Sequence, residues 1–157
     1  MILEENSIAP DFSLKDKDGK IHKLSDIKSK YIVLYFYPKD DTPGCTIEAN
    51  SFNRNIEKFK NADAEVIGIS GGNEKTKKNF CTKYGLNITL LSDSDFEISK
   101  KYGVFKEKNF FGRRINSIGR ITFIIKNGKI IKVFRKVYPD RHIQEVLDFL
   151  KASINNK

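Results

Sequence analysis

Cysteine and histidine are scarce in this chain: its 157 residues include only Cys45, Cys81, His22 and His142. Two cysteines cannot build a disulfide framework, and a chain of this length buries enough apolar surface not to need one. They are therefore either inert buried thiols or chemical groups. The histidines stand far apart, with no cysteine or carboxylate cluster at ligand spacing beside either, so no metal is expected and nothing else calls for a cofactor. Long apolar runs are missing as well. The longest, Tyr31–Tyr37, falls far short of the roughly 20 residues a membrane-spanning helix needs, so no membrane association is expected. The opening Met1-Ile2-Leu3-Glu4-Glu5-Asn6 is acidic where a secretory signal is basic and then apolar, which points to a cytoplasmic protein.

What is present is ordinary globular composition. Hydrophobic residues at 39%, charged residues at 31%, Gly 10 and Pro 4 exclude disordered, collagen-like and low-complexity classes. No repeat, linker or composition break interrupts the chain, so residues 1–157 read as a single domain. Lys+Arg 29 against Asp+Glu 20 gives a net charge of +9, which raises a basic nucleic-acid-binding or holdase module as a competing reading. The lysines are scattered and often interleaved with acids, as in Lys15-Asp16-Lys17-Asp18. The strongest clusters, Lys75-Thr76-Lys77-Lys78 and Arg113-Arg114, are short. Solvated lysine faces account for this pattern better than a phosphate-binding groove does.

The order of elements predicts an α/β architecture. Phe12-Ser13-Leu14 and Lys20–Leu24 flank an Asp18-Gly19 turn and form an N-terminal β-hairpin. Tyr31–Tyr37 is a β-branched and aromatic run suited to a central strand buried on both faces. Phe52, Ile56 and Phe59 recur at helical spacing, and Ala64–Ser70 reads as a second buried strand. Asn73 caps a helix that carries Cys81, runs to Tyr84 and closes at Gly85. Leu90–Ser92 is a short strand and Asp93–Tyr102 a short helix, followed by Lys106–Gly119 as a long irregular loop. A hairpin then turns at Asn127-Gly128, and a last helix is capped by Asp140. Helices alternating with strands predict a central mixed β-sheet flanked by helices.

The stretch Pro38-Lys39-Asp40-Asp41-Thr42-Pro43-Gly44-Cys45-Thr46 joins a central strand to the first turn of a helix. Backbone N–H groups and the helix dipole favour negative charge there, so a thiol at that position is held in its nucleophilic thiolate form. Thr42 offers a hydroxyl to the sulfur or to an incoming oxygen. Pro38 has no N–H and shields the thiolate from water. Arg120, at the start of a predicted strand, supplies a cation if the sheet order brings it to the site. The plain alternative is that Cys45 is a small buried residue behind a Pro-Gly turn.

These residues resemble a known family. Pro38-x3-Thr42-x2-Cys45 matches the active-site signature of the peroxiredoxins, and Tyr35–Thr46 is similar to the Q-type, bacterioferritin-comigratory branch. Ala9-Pro10-Asp11-Phe12, Lys83-Tyr84-Gly85-Leu86 with Leu90–Asp93, and Arg120-x-Thr122-Phe123 extend the resemblance over nearly the whole chain. It implies a thioredoxin-like fold and a monomer that reduces hydrogen peroxide and alkyl hydroperoxides. Cys45 would be the peroxidatic cysteine, surrounded by Pro38, Thr42 and Arg120, with Glu48 at a position that helps hold the arginine. Many Q-type members carry a resolving cysteine five positions after the first, where this chain has Asn50. A subset resembles this chain in placing it on the next helix, as in Asn79-Phe80-Cys81. The Cys45 sulfenic acid would then condense with Cys81 to a disulfide, reduced by thioredoxin or a similar dithiol protein. The alternative keeps Cys81 as a core residue of a one-cysteine peroxidase resolved by an external thiol. A disulfide reductase would need a Cys-x-x-Cys pair, and the position three after Cys45 is Glu48.

Overall fold

The computed structural model describes residues 1–155. A seven-stranded mixed sheet forms the frame. Its strands are β1 (Ser13–Lys15), β2 (Ile21–Lys23), β3 (Tyr31–Phe36), β4 (Ala64–Ser70), β5 (Thr89–Ser92), β8 (Ile121–Lys126) and β9 (Lys129–Phe134). They lie in the order β2-β1-β5-β4-β3-β8-β9, with β3, β4 and β5 mutually parallel and the other pairings antiparallel. The helices are α1 (Pro43–Arg54), α2 (Ile56–Asn61), α3 (Glu74–Tyr84), α4 (Glu97–Lys101) and α5 (His142–Asn155). The expected mixed sheet with an N-terminal hairpin is present.

Every residue of β3 is buried, because side chains that alternate across its pleat feed two separate cores. Tyr31, Val33 and Tyr35, with Tyr37 just beyond, pack with Cys45, Ala49 and Phe52 of α1, Phe59 of α2, Phe80 and Cys81 of α3, and Val146 and Leu150 of α5. Ile32, Leu34 and Phe36 face Ile98 of α4, Tyr102 and Phe123 on the opposite side. Both potential catalytic thiols therefore lie on one face of the sheet.

Several boundaries differ from the sequence reading. The helix expected through Phe52, Ile56 and Phe59 breaks at Asn55, whose side-chain amide donates to the Ser51 carbonyl at 2.7 Å and takes the acceptor that a continuing helix would use. The short helix after β5 spans only Glu97–Lys101, and the buried Asp93 carboxylate accepts from the Ile98 and Ser99 backbone N–H groups at its start. The last helix begins at His142, with Asp140 in the preceding turn, so the expected Asp140 cap is not where the helix starts. Lys106–Gly119 is no irregular loop. It holds a separate antiparallel pair, β6 (Phe105–Phe110) and β7 (Arg113–Ile118), closed by Phe111-Gly112 with φ of 51° and 76°. Water on both faces leaves this arm without the alternation of polar and apolar residues that marks a half-buried strand. Asn127-Gly128 does make the predicted tight turn, with φ of 53° and 74°.

Candidate active site

The site sits at the C-terminal edge of β3. Tyr37 still donates its N–H to the Ile69 carbonyl, and Pro38, with no N–H to give, ends the ladder. Thr42 takes the extended conformation of an N-cap and Pro43 the first helical position, a placement suited to a residue without N–H. Cys45 thus falls in the first turn of α1, 1% exposed, beside the free N–H groups of the helix start. The Thr42 hydroxyl donates to the Lys39 carbonyl at 2.9 Å, so its proton points to the loop backbone and its oxygen remains able to accept.

Arg120 immediately precedes β8, and the β3–β8 pairing, with Phe36 opposite Ile121, brings it to the same edge. Its guanidinium lies on Gly44 so closely that a Cβ there would stand 2.9 Å from Nη2. Nη1 donates to Glu48 Oε1 at 2.9 Å. Burial alone would lower the Arg120 pKa, yet the neighbouring Cys45 and Glu48 raise it. Arg120 and Glu48 are therefore brought together beside Cys45, while Pro38 and Thr42 lie on the loop that leads into α1.

Glu48 is fully buried, its second oxygen has no partner, and burial pushes its pKa from 4.5 to about 7 despite Arg120. A carboxyl whose pKa rises on folding stabilises the native state most below its unfolded value, and that contribution is lost as pH climbs through the folded value. The parent should therefore lose stability relative to Glu48→Gln between about pH 4.5 and pH 7, by on the order of 3 kcal/mol in all. Paired thermal melts check this, and a difference that stays constant with pH overturns it.

Cys81 lies on α3, 4% exposed, and burial raises the pKa of its thiol. Neither cysteine is bridged. Tyr35, fully buried with an unpartnered hydroxyl, has its pKa pushed well up by burial and then by the charges of Glu48, Cys45, Asp40 and Cys81. It packs in the same buried cluster as Cys45 and Cys81. His142 was not singled out by the sequence either. Its Nε2 lies 2.7 Å from Thr122 Oγ1, and burial, aided by the Arg120 charge, lowers its pKa to about 4, so the imidazole is neutral. The basic cluster Lys75–Lys78 is not a surface patch, because Lys77 points fully inward. Among the described residues no group of three or more His, Cys, Asp or Glu side chains could hold a metal, and no helix is long and apolar enough to cross a membrane.

A family model described as AhpC/TSA matches residues 6–134. The chain belongs to the AhpC/TSA family. Peroxiredoxin Bcp of Bacillus subtilis is 44% identical over 152 residues, covering 96% of this chain and 97% of that protein. The bacterioferritin comigratory protein of Xanthomonas campestris, studied for alkyl peroxide reduction through trapped intermediate and ligand complexes, superposes with a TM-score of 0.86 at 35% identity. That match covers 97% of this chain and 98% of the other. Two cysteine-to-serine mutants of Xanthomonas campestris peroxiredoxin Q also match with a TM-score of 0.86 at 36% identity, each across 97% of this chain and 97% or 98% of theirs. The fold is accordingly thioredoxin-like, and this AhpC/TSA member is a peroxiredoxin of the Bcp and peroxiredoxin Q kind, a thiol peroxidase. The nucleic-acid-binding and holdase alternatives are not favoured.

Proposed function

We propose that the Cys45 thiolate attacks the distal oxygen of hydrogen peroxide or an alkyl hydroperoxide. An S–O bond forms, the O–O bond breaks, and the leaving oxygen departs as water or alcohol after taking up a proton. The observation that carries this reading is the Arg120 guanidinium lying on Gly44 beside the buried Cys45, where it can stabilise charge moving onto the leaving oxygen. Glu48 positions Arg120, Pro38 excludes water, and Thr42, with its proton on Lys39, orients the loop. Cys81 then condenses with the Cys45 sulfenic acid, releasing water and leaving an intramolecular disulfide that thioredoxin or a similar dithiol reduces. In support, the two cysteines replaced by serine in the Xanthomonas campestris mutants stand at the same spacing as Cys45 and Cys81. Bridging requires Cα atoms within about 7 Å, a separation that cysteines on two helices seldom start from, so this reading includes local opening during turnover, with Gly71-Gly72 ahead of α3 as a hinge. The whole chain, residues 1–157, acts in this reading as one domain, a cytoplasmic monomer with an antioxidant role.

The deciding experiment is a disulfide map after one equivalent of hydrogen peroxide. A Cys45–Cys81 bridge within the monomer is expected. A free Cys81 beside oxidised Cys45 overturns the two-cysteine cycle in favour of an external thiol. Cys81→Ser should consume one peroxide per chain and then stop when thioredoxin is the only reductant.

A further inference from the structure

A buried ion pair joins the loop of Cys45 to the helix of Cys81. Asp40 lies between Pro38 and Cys45 on the loop, and Lys77 lies one helical turn before Cys81 on α3. Their side chains are 8% and 0% exposed, with Lys77 Nζ 2.8 Å from Asp40 Oδ2. Nζ spends its other two protons on Ser70 Oγ and the Gly71 carbonyl, both at 2.7 Å, at the end of β4. Asp40 also accepts from the Tyr37 hydroxyl at 2.6 Å and the Thr76 hydroxyl at 3.0 Å. A second tie, from Lys83 and Tyr84 to Asp41, is exposed to solvent and contributes less. Nothing in the peroxide chemistry uses Asp40 or Lys77.

We propose that Asp40 and Lys77 form a latch that holds α3 closed over the Cys45 loop and sets how fast Cys81 reaches the Cys45 sulfenic acid. The inference rests on the reading of Cys81 as the resolving thiol. Lys77 cannot leave its place without giving up all three of its hydrogen bonds, and Cys81, on the next turn, cannot move far while Lys77 stays. Residues 74–84 therefore open as a unit that the latch restrains. Removing only the lysine leaves the Asp40 carboxylate buried without its cation in the closed form, whereas opening returns it to water. The closed form is weakened and the open form is not. Resolution, Cys45–SOH plus Cys81–SH giving the disulfide and water, then speeds up relative to further oxidation of Cys45 to sulfinic acid by excess peroxide.

Lys77→Met should raise the first-order rate of disulfide formation by about tenfold or more and lower the fraction of sulfinic acid formed at high peroxide by a similar factor. The rate of the first oxidation of Cys45 should change little. Asp40→Asn combined with Lys77→Met removes the stranded carboxylate and should bring the rate back toward the parent's, a rescue that general loosening of the fold cannot produce. Hydrogen exchange adds a second measure, expected to quicken in residues 74–84 of Lys77→Met while the β3 and β8 amides stay protected. An unchanged disulfide rate with unchanged exchange in α3 overturns the latch and leaves the reading of Cys81 intact, as does exchange that quickens equally throughout the chain. If the parent forms no Cys45–Cys81 disulfide, that reading falls, and exchange in residues 74–84 still decides whether the ion pair restrains α3.

Discussion

Cys45→Ser is expected to lose peroxidase activity by at least about 10⁴-fold, the scale on which a covalent catalyst fails without its nucleophile. A serine hydroxyl at the start of α1 is not ionised near neutral pH, and oxygen cannot accept the peroxide oxygen as sulfur does. The substitution is nearly isosteric at a fully packed position, so the fold should survive and the loss will be chemical. Cys81→Ser provides the internal contrast, because it should still reduce the first equivalent of peroxide. Single-turnover kinetics on both variants separate the two roles, and a Cys45→Ser protein that still turns over would displace the whole site.

Arg120→Met should slow the oxidation of Cys45 by about 10²-fold to 10³-fold, the cost of removing one charged donor from a site where negative charge develops. The Arg120→Lys variant should recover little of this. The native guanidinium does two things at once, donating from Nη1 to Glu48 while Nη2 rests on Gly44 next to Cys45. A lysine ammonium is a single point on a flexible stem and cannot span both. Glu48 would then be left buried with a weaker partner. The second-order rate constant of thiol oxidation, followed by stopped flow, measures the effect directly. A lysine variant with the parent's rate would show that charge alone, without the fork, is sufficient.

The strand–loop–helix unit around Cys45 was legible because its signals are local: a continuous apolar strand, a proline that ends it, and a Thr-Pro start for the helix. Arg120 was legible only as a condition on sheet order, since nothing near position 120 says that β8 lies against β3. Lys77 was hidden for a different reason. On a helix reading Glu74-Lys75-Thr76-Lys77-Lys78, one buried lysine looks like its solvated neighbours, and only the position of Asp40, far away in sequence, distinguishes it. Tyr35 looked like one more aromatic in an apolar run, although it packs in the same cluster as both thiols with its hydroxyl unpartnered. The β6–β7 arm escaped because the apolar periodicity that identifies strands is a record of burial, and this arm is hardly buried. The break at Asn55 turned on one side-chain hydrogen bond, below the resolution of any periodicity.

The placement of Arg120 on the far strand of the β3–β8 pair also bears on the history of each molecule. During synthesis Cys45 emerges long before residue 120, and until β8 docks beside β3 the thiol has no guanidinium beside it. In the proposed reaction, charge on the leaving oxygen finds its guanidinium only once the sheet is complete, so a chain that stalls before that step lacks the donor.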